Sequence, residues 1–357
     1  IIMAGGPGNK FWPVSRNSIP KQFLDILGTG NSFISETYLR FSKIVPKENI
    51  YIIAHESNRD LVLAHLKDVS PDNLLFEPYR RNTAACIAYG SFKIHSKNKN
   101  ASIVVAPSDH LILDEDLFIE TITNALEYSA INNVLITMGI SPTRPETQYG
   151  YIQLNQDPVL SVNGHIAYNV KTFTEKPNRE LAQIFVDSGE FLWNSGLFVW
   201  NSKTIINQFL IHQPELYALF NDNGKIYFTE QERDYIAKVY EECVSVSVDY
   251  GIMEKTDIAI VYPVSFRWSD VGTWESLFSV VGKDEDGNFV SAKTNLLRDV
   301  SNSIILSDNP SQLVVVDGLK DYMVVSTKDV ILICPKNEVN YKTVLTDLII
   351  NELDKFQ

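Results

Sequence analysis

The sequence predicts an α/β protein: a Rossmann-like, mostly parallel sheet flanked by helices, then a small, β-helix-like C-terminal domain. Three observations predict this. From Ile1 to about Ile140 short β-branched runs alternate with longer amphipathic stretches, as parallel βαβ units do. A stretch from about Tyr149 to Gly282 mixes strands with helices, carries Trp193, Trp200, Trp268 and Trp274, and continues the same domain. The polar segment Lys283 to Asn288 then gives way to short strands between turns, SIILSD, QLVVVDG, YMVVS and DVILICP. Residues 1–282 are therefore expected to form the larger α/β domain and residues 289–357 the small β-domain.

Taken in order, the expected strands are Ile1 to Ala4, Ile50 to Ala54, Leu74 to Glu77, Ile103 to Ala106 and Val134 to Ile140. Helices are expected near Ser32 to Phe41, Asn58 to Leu66, Asn82 to Ile94 and Glu115 to Tyr128, the third with Asn82 as its N-cap. In open sheets of this kind ligands bind beyond the carboxyl ends of the strands. The loops after Ala4, Glu77 and Ala106 are thus where chemistry is expected. The alternation in FLWNSGLFVW assigns Trp193, Phe198 and Trp200 to core packing rather than to base stacking.

Composition removes several classes of function. The 357 residues carry 31 Lys and Arg against 44 Asp and Glu, a net charge of −13. Nucleic-acid binding needs a basic face, and no basic cluster occurs. The 3 cysteines (Cys86, Cys243, Cys334) and 6 histidines are scattered, without the paired spacing of a zinc site or a disulfide framework. Every apolar run is short and interrupted, so neither a membrane span nor a signal peptide is expected, and the location is expected to be cytoplasmic. The chain opens inside an apolar run without a start methionine, so a few preceding residues are expected.

After the first strand comes Gly5-Gly6-Pro7-Gly8-Asn9-Lys10, followed by Phe11-Trp12-Pro13-Val14-Ser15-Arg16 and Pro20-Lys21-Gln22. Glycines let backbone N–H groups approach a phosphate, and Lys10, Arg16 and Lys21 supply charge to neutralise it. The run is neither a P-loop nor a dinucleotide fingerprint, because no Lys-Ser/Thr follows a glycine at the required offset and Phe11 stands where a third glycine belongs. Pro13 and Pro20 oppose a long helix directly after it. Asp109 follows the strand SIVVAP and Asp270 lies between Trp268 and Gly272; taken singly, each reads as a loop or turn aspartate.

The run MAGGPGNKFWPVSR…PKQF resembles the signature of sugar-phosphate nucleotidylyltransferases, and more narrowly that of mannose-1-phosphate guanylyltransferases. FEPYRRNTA, PSDH, YGYI, FTEKP, WNSGLFVW and WSDVGTW fit the same family in the same order, spanning Ile1 to about Trp274. One departure is Lys10, where the family usually has arginine; the charge is kept and the bidentate fork is lost. The resemblance implies transfer of GMP from GTP to mannose 1-phosphate, giving GDP-mannose and pyrophosphate. It implies Lys10 and Lys21 on the phosphates and Asp109 with Asp270 as the Mg²⁺ pair. It places Ala4, Gly5, Gly6, Gly8, Glu77, Asn82, Thr83 and Ser108 around the nucleotide, and Gly150, Glu175, Lys176 and Asn194 around the sugar phosphate.

The chemistry agrees with those residue types. Joining two anions needs charge neutralisation and in-line positioning more than a protein nucleophile, since the attacking atom is a phosphate oxygen. A sugar phosphate is largely deprotonated near neutral pH, so His110 is not needed as a base. The competing readings are the same reaction on another hexose 1-phosphate or nucleotide, and a non-catalytic nucleotide-sugar-binding regulatory subunit. An isomerase module like that of longer relatives is not expected, because about seventy residues follow Asn288, short of an ordinary domain, and no histidine follows His212. The apolar C-terminal strands would be exposed edges, which suggests a homodimer.

Overall fold

The structure is a computed structural model that describes residues 1–6, 9–160 and 164–356. Strands β1 (Ile2–Met3), β2 (Ile52–His55), β3 (Leu74–Glu77), β4 (Ser102–Pro107), β5 (Leu111–Ile112) and β6 (Leu135–Ile140) alternate with helices α1 (Phe33–Phe41), α2 (Arg59–His65), α3 (Asn82–Lys97) and α4 (Glu115–Ile131). Next come β7 (Tyr151–Leu160), β8 (Ile166–Thr174), α5 (Arg179–Ser188), β9 (Phe191–Asn201), α6 (Ser202–His212), α7 (Pro214–Phe220), α8 (Glu232–Glu242) and β10 (Ala259–Val264). The chain continues through β11 (Trp268–Ser269), α9 (Trp274–Val280), β12 (Phe289–Ser291), β13 (Thr294–Arg298), β14 (Ile304–Ser307), β15 (Leu313–Asp317), β16 (Tyr322–Ser326), β17 (Ile331–Pro335) and α10 (Glu338–Ile350).

These elements pack as two units that are not contiguous in sequence. One comprises Ile1–Gly5, Tyr38–Ser108 and Ile112–Trp268; the other comprises Gly6–Thr37, Asp109–Leu111 and Ser269–Gln357. The packing therefore groups most of the glycine-rich loop, Asp109 and Asp270 with the C-terminal strands, where the sequence alone suggested a division near residues 282–289.

The first unit is an α/β fold. Its described residues form a nine-stranded sheet in the order β3-β2-β1-β4-β9-β6-β10-β8-β7. Pairing is parallel from β3 to β4 and between β6 and β10, with Ile2 opposite Ile52 and Ala106. The sheet is nevertheless mixed rather than uniformly parallel. Strand β9 enters antiparallel between β4 and β6, and β7 and β8, joined by a short connection, pair antiparallel as a hairpin must. Strands β1, β3 and β4 share one direction, so their carboxyl ends lie along one edge of the sheet. The residues that follow them include Gly5 and Ser108.

Helix α3 buries Ala84 to Lys93 against a core that includes Ile53, Val105, Phe198 and Trp200. In β9, Trp193, Phe198 and Trp200 are buried. The register of β6 on β9 shifts between Thr137 opposite Phe198 and Gly139 opposite Asn194, and the extra residues of β9 include Gly196 at φ +71°. That bulge makes the NSG of the sequence a local kink, the kind of feature that re-aims a side chain.

In the second unit β12, β14 and β16 stack in parallel, with Phe289, Ile304 and Met323 in line, while β13 and β15 form a separate parallel pair. Successive turns of chain thus lie on one another as rungs of a β-helix do, around Ala292, Val300, Ile305, Val314, Val316 and Val324. Two features depart from the expectation of a small β-domain. Strand β17 adds antiparallel to β16, and the last segment folds as α10 rather than as another rung. Among the described residues no helix is long and apolar enough to cross a membrane.

Candidate active site

In the second unit the side chains expected to handle phosphate converge on Lys21. This residue lies in a single 3₁₀ turn after Pro20 and is 1% exposed, an unusual place for an ammonium. Its Nζ lies 2.9 Å from Asp109 Oδ2 and donates to the Asp270 backbone carbonyl at 2.5 Å, with the rings of Phe33 and Phe11 at 5.3 and 5.9 Å. Burial lowers the Lys21 pKa, opposed by Asp109. Burial alone would raise the Asp109 carboxyl, but Lys21, with His110 and Lys10, holds it down at about 2. Burial pushes His110 down to about 4, so its imidazole is neutral at physiological pH, consistent with a structural role.

Asp270 is set by its neighbours in sequence. Its Oδ1 accepts the Gly272 N–H at 3.0 Å, and a Cβ on Gly272 would stand 2.7 Å from its Oδ2. Only glycine fits beside that carboxylate. Between them Val271 is fully buried at φ +43°, a strained conformation for a β-branched residue. Thr273 and Ser276 close a capping box that starts α9 immediately afterwards.

The cations of the glycine-rich run separate into two kinds. Lys10 has an exposed side chain. Arg16, read in the sequence as a phosphate neutraliser, is instead engaged structurally: Nε donates to Pro13 O at 2.7 Å and Nη2 to Asp329 Oδ1 at 2.7 Å. Gly6 has no atom within 4 Å of an added Cβ, and Gly8 lies outside the described residues.

In the first unit Gly5 and Glu77 meet. A Cβ on Gly5 would lie 2.9 Å from Glu77 Oε2, while Oε1 accepts the Tyr240 hydroxyl at 2.8 Å. Burial pushes the Glu77 carboxyl up to about 7, against the Tyr240 bond and Arg80. Asn82 opens α3 at φ +65°, and its Oδ1 accepts the Thr83 N–H, so it satisfies a helix-end donor from inside the helix rather than as the expected N-cap, which is Arg81. Thr83 Oγ1 accepts the Val248 N–H at 2.9 Å. The Ala4 and Ser108 N–H groups bond Ile53 O and Met3 O; these two residues extend the sheet and leave their amides unavailable to a nucleotide.

Also in the first unit, Gly150, Glu175 and Asn194 come together although dispersed in sequence. A Cβ on Gly150 would stand 2.6 Å from Glu175 Oε2 and 3.3 Å from Asn194 Cβ, so a larger residue here would displace the Glu175 carboxylate. Lys176 at φ +47° places Nζ 2.6 Å from Glu175 Oε1. Asn194 Oδ1 accepts from Thr137 Oγ1 at 3.0 Å and from the Gly196 N–H, and Nδ2 donates to Asp249 Oδ1 at 2.8 Å. Its amide is therefore locked, and its remaining N–H can only donate. Asp249, in a turn of π-helix, is pushed up to about 7 by burial and by Glu175. Sequence reasoning missed it; the acidic pair of DYGIME was the available signal, since Glu254 also bonds this site through the Glu175 N–H.

The fold is that of a nucleotidyl transferase: the model of the family described as Nucleotidyl transferase matches residues 1–287. A mannose-1-phosphate guanylyltransferase of Salmonella montevideo is 37% identical over 94% of this chain and 70% of its own length. One from Klebsiella pneumoniae is 36% identical over 93% and 70%. A crystal structure from Thermus thermophilus, named as a mannose-1-phosphate geranyltransferase, is 27% identical with a TM-score of 0.83 over 97% of this chain and 98% of that one. The chain belongs to the mannose-1-phosphate guanylyltransferase family of sugar-phosphate nucleotidyltransferases.

Proposed function

We propose that this enzyme joins GTP and mannose 1-phosphate into GDP-mannose and releases pyrophosphate by in-line attack of the sugar-phosphate oxygen on the α-phosphorus. The observation that carries the reading is the buried Lys21 ammonium held between Asp109 and Asp270. Such a charge neutralises phosphate without water competing for it. Lys10 adds a second, exposed charge. Glu77, with one oxygen fixed by Tyr240, offers the other to the N–H face of guanine, and Glu175, Lys176 and Asn194 receive the sugar phosphate. Residues 1–282 carry this chemistry, and residues 289–357 form the accessory β-domain.

Asp109 and Asp270 are hard oxygen donors, and among the described residues no group of three or more His, Cys, Asp and Glu side chains is arranged to hold a metal. Two carboxylates with substrate phosphates are the usual way magnesium is held, so the residues fit Mg²⁺. When bound, the ion would offset phosphate charge.

The test is pyrophosphate release with mannose 1-phosphate, glucose 1-phosphate or no sugar, each against GTP, ATP, UTP and dTTP, in Mg²⁺ or EDTA. Release confined to GTP with mannose 1-phosphate and lost in EDTA is the expected result; another productive pair would overturn the specificity. The protein is proposed to act in the cytoplasm as a homodimer. Leu296 and Val315 face each other across β13 and β15, and both, with Leu313, Ile331 and Ile333, are exposed. Sedimentation giving only monomer at working concentration would exclude the dimer.

A further inference from the structure

Three groups that follow the glycines make hydrogen bonds to the C-terminal segment: the Arg16 guanidinium, the Trp12 indole and the Lys10 carbonyl. Within the second unit each is held by a different piece of the C-terminal segment. Arg16 Nη2 donates to Asp329 Oδ1 at 2.7 Å and to Thr327 Oγ1 at 3.3 Å, and its side chain is only 12% exposed. The Trp12 indole donates to Phe356 O at 2.5 Å, and the Tyr341 hydroxyl donates to Lys10 O at 3.3 Å. Trp274 adds a fourth tie, from its Nε1 to Trp12 O at 3.3 Å.

The ties continue inward. Phe11, fully buried, packs edge-on against Trp274 with ring centres 5.0 Å apart, and its ring is one of the two that wall the Lys21 ammonium. A loop interrupted by two prolines gains a defined shape from these contacts.

We infer that the segment from Thr327 to Phe356 is a clamp that sets the shape of the loop from Lys10 to Lys21, with Asp329 and Tyr341 as positioning residues for Lys10 and Lys21. The inference rests on the phosphate-handling reading of those lysines. Positioning errors of an ångström in such a site cost up to about a hundredfold in rate, so the clamp has a kinetic signature. Asp329→Ala is expected to lower kcat about tenfold or more, with KM for mannose 1-phosphate unchanged, and Asp329→Glu to recover most of the loss. Tyr341→Phe, which removes one oxygen and no packing, is expected to lower kcat in the same direction by less.

The experiment pairs steady-state kinetics with limited trypsin digestion of the full chain, reading cleavage after Lys10 and Arg16. Faster cleavage there in Asp329→Ala, with unchanged cleavage elsewhere, is the supporting result. Wild-type kcat and wild-type resistance at Lys10 and Arg16 in both variants would overturn the clamp. So would a kcat loss that Asp329→Glu fails to recover and that comes with digestion accelerated throughout the chain. If the wild-type enzyme released no pyrophosphate with any substrate pair, the functional reading would fail, while the digestion pattern would still decide the clamp.

Discussion

Asp270 shows how a carboxylate proposed for catalysis is placed by what surrounds it. Replacing it by alanine removes the oxygen pair proposed to hold Mg²⁺ and leaves the Lys21 bond to its backbone carbonyl in place. Turnover is expected to vanish while circular dichroism and melting stay near wild type; a retained rate would remove Asp270 from the mechanism. Gly272→Ala tests the same point while keeping the carboxylate, because the new Cβ would stand 2.7 Å from Oδ2 and push it aside. Activity should fall by about tenfold or more through misplacement. Glu77 makes a different prediction. Burial pushes its carboxyl up to about 7, and the ionised form is the stronger acceptor for the guanine N–H donors proposed to meet it. KM for GTP is therefore expected to rise as pH falls below about 7, and Tyr240→Phe, by removing a bond that favours the ionised form, should move that rise to higher pH. A KM for GTP independent of pH between 6 and 8 would exclude Glu77 from base binding.

At the scale of elements, the bulge in β9 does for Asn194, in the proposed sugar pocket, what Gly272 does for Asp270. Thr137, the Gly196 N–H and Asp249 fix the Asn194 amide, so Asn194→Asp would place two acceptors where one donor is needed and add a third carboxylate beside Glu175 and Asp249. KM for mannose 1-phosphate should rise at least about tenfold with KM for GTP unchanged, which parallel titration of the two substrates would check. Much of this was legible in the sequence. Strand–helix alternation announced β1 to β4 and β6 but not the two-residue β5, and the unusual residues at the ends of β1, β3 and β4 marked Gly5, Glu77 and Asp109, because parallel strands align their carboxyl ends. The antiparallel insertion of β9 was not legible, since a buried strand reads alike in either direction. Nor was Asp249, whose role depends on a contact with Asn194 across 55 positions. Arg16 is a related case: its charge is visible in the sequence, but Asp329, the partner that engages it, is not.

At the scale of the whole molecule, the buried acids impose a pH dependence on stability. Glu77 and Asp249 have native values of about 7 against ordinary values of 4.5 and 3.8, so between those limits the folded state binds more protons than the unfolded one. Stability contributed by these groups must then fall as pH rises through that window. For Glu77 the shift from 4.5 to about 7 corresponds to about 3 kcal/mol. Asp109 has the opposite sign: its native value of about 2 lies below the ordinary 3.8, so its contribution is present above about 4 and is lost as pH falls through about 2. The two trends together place maximum stability on the acid side of neutrality, and the net charge of −13 adds self-repulsion as pH rises. Melting temperature should accordingly decline from about pH 5 to pH 8. The double variant Glu77→Gln, Asp249→Asn keeps amide acceptors toward Tyr240 and Asn194 but cannot ionise, so its decline should be shallower. Scanning calorimetry of both proteins across that range would check this, and equal slopes would mean that neither acid titrates where burial places it.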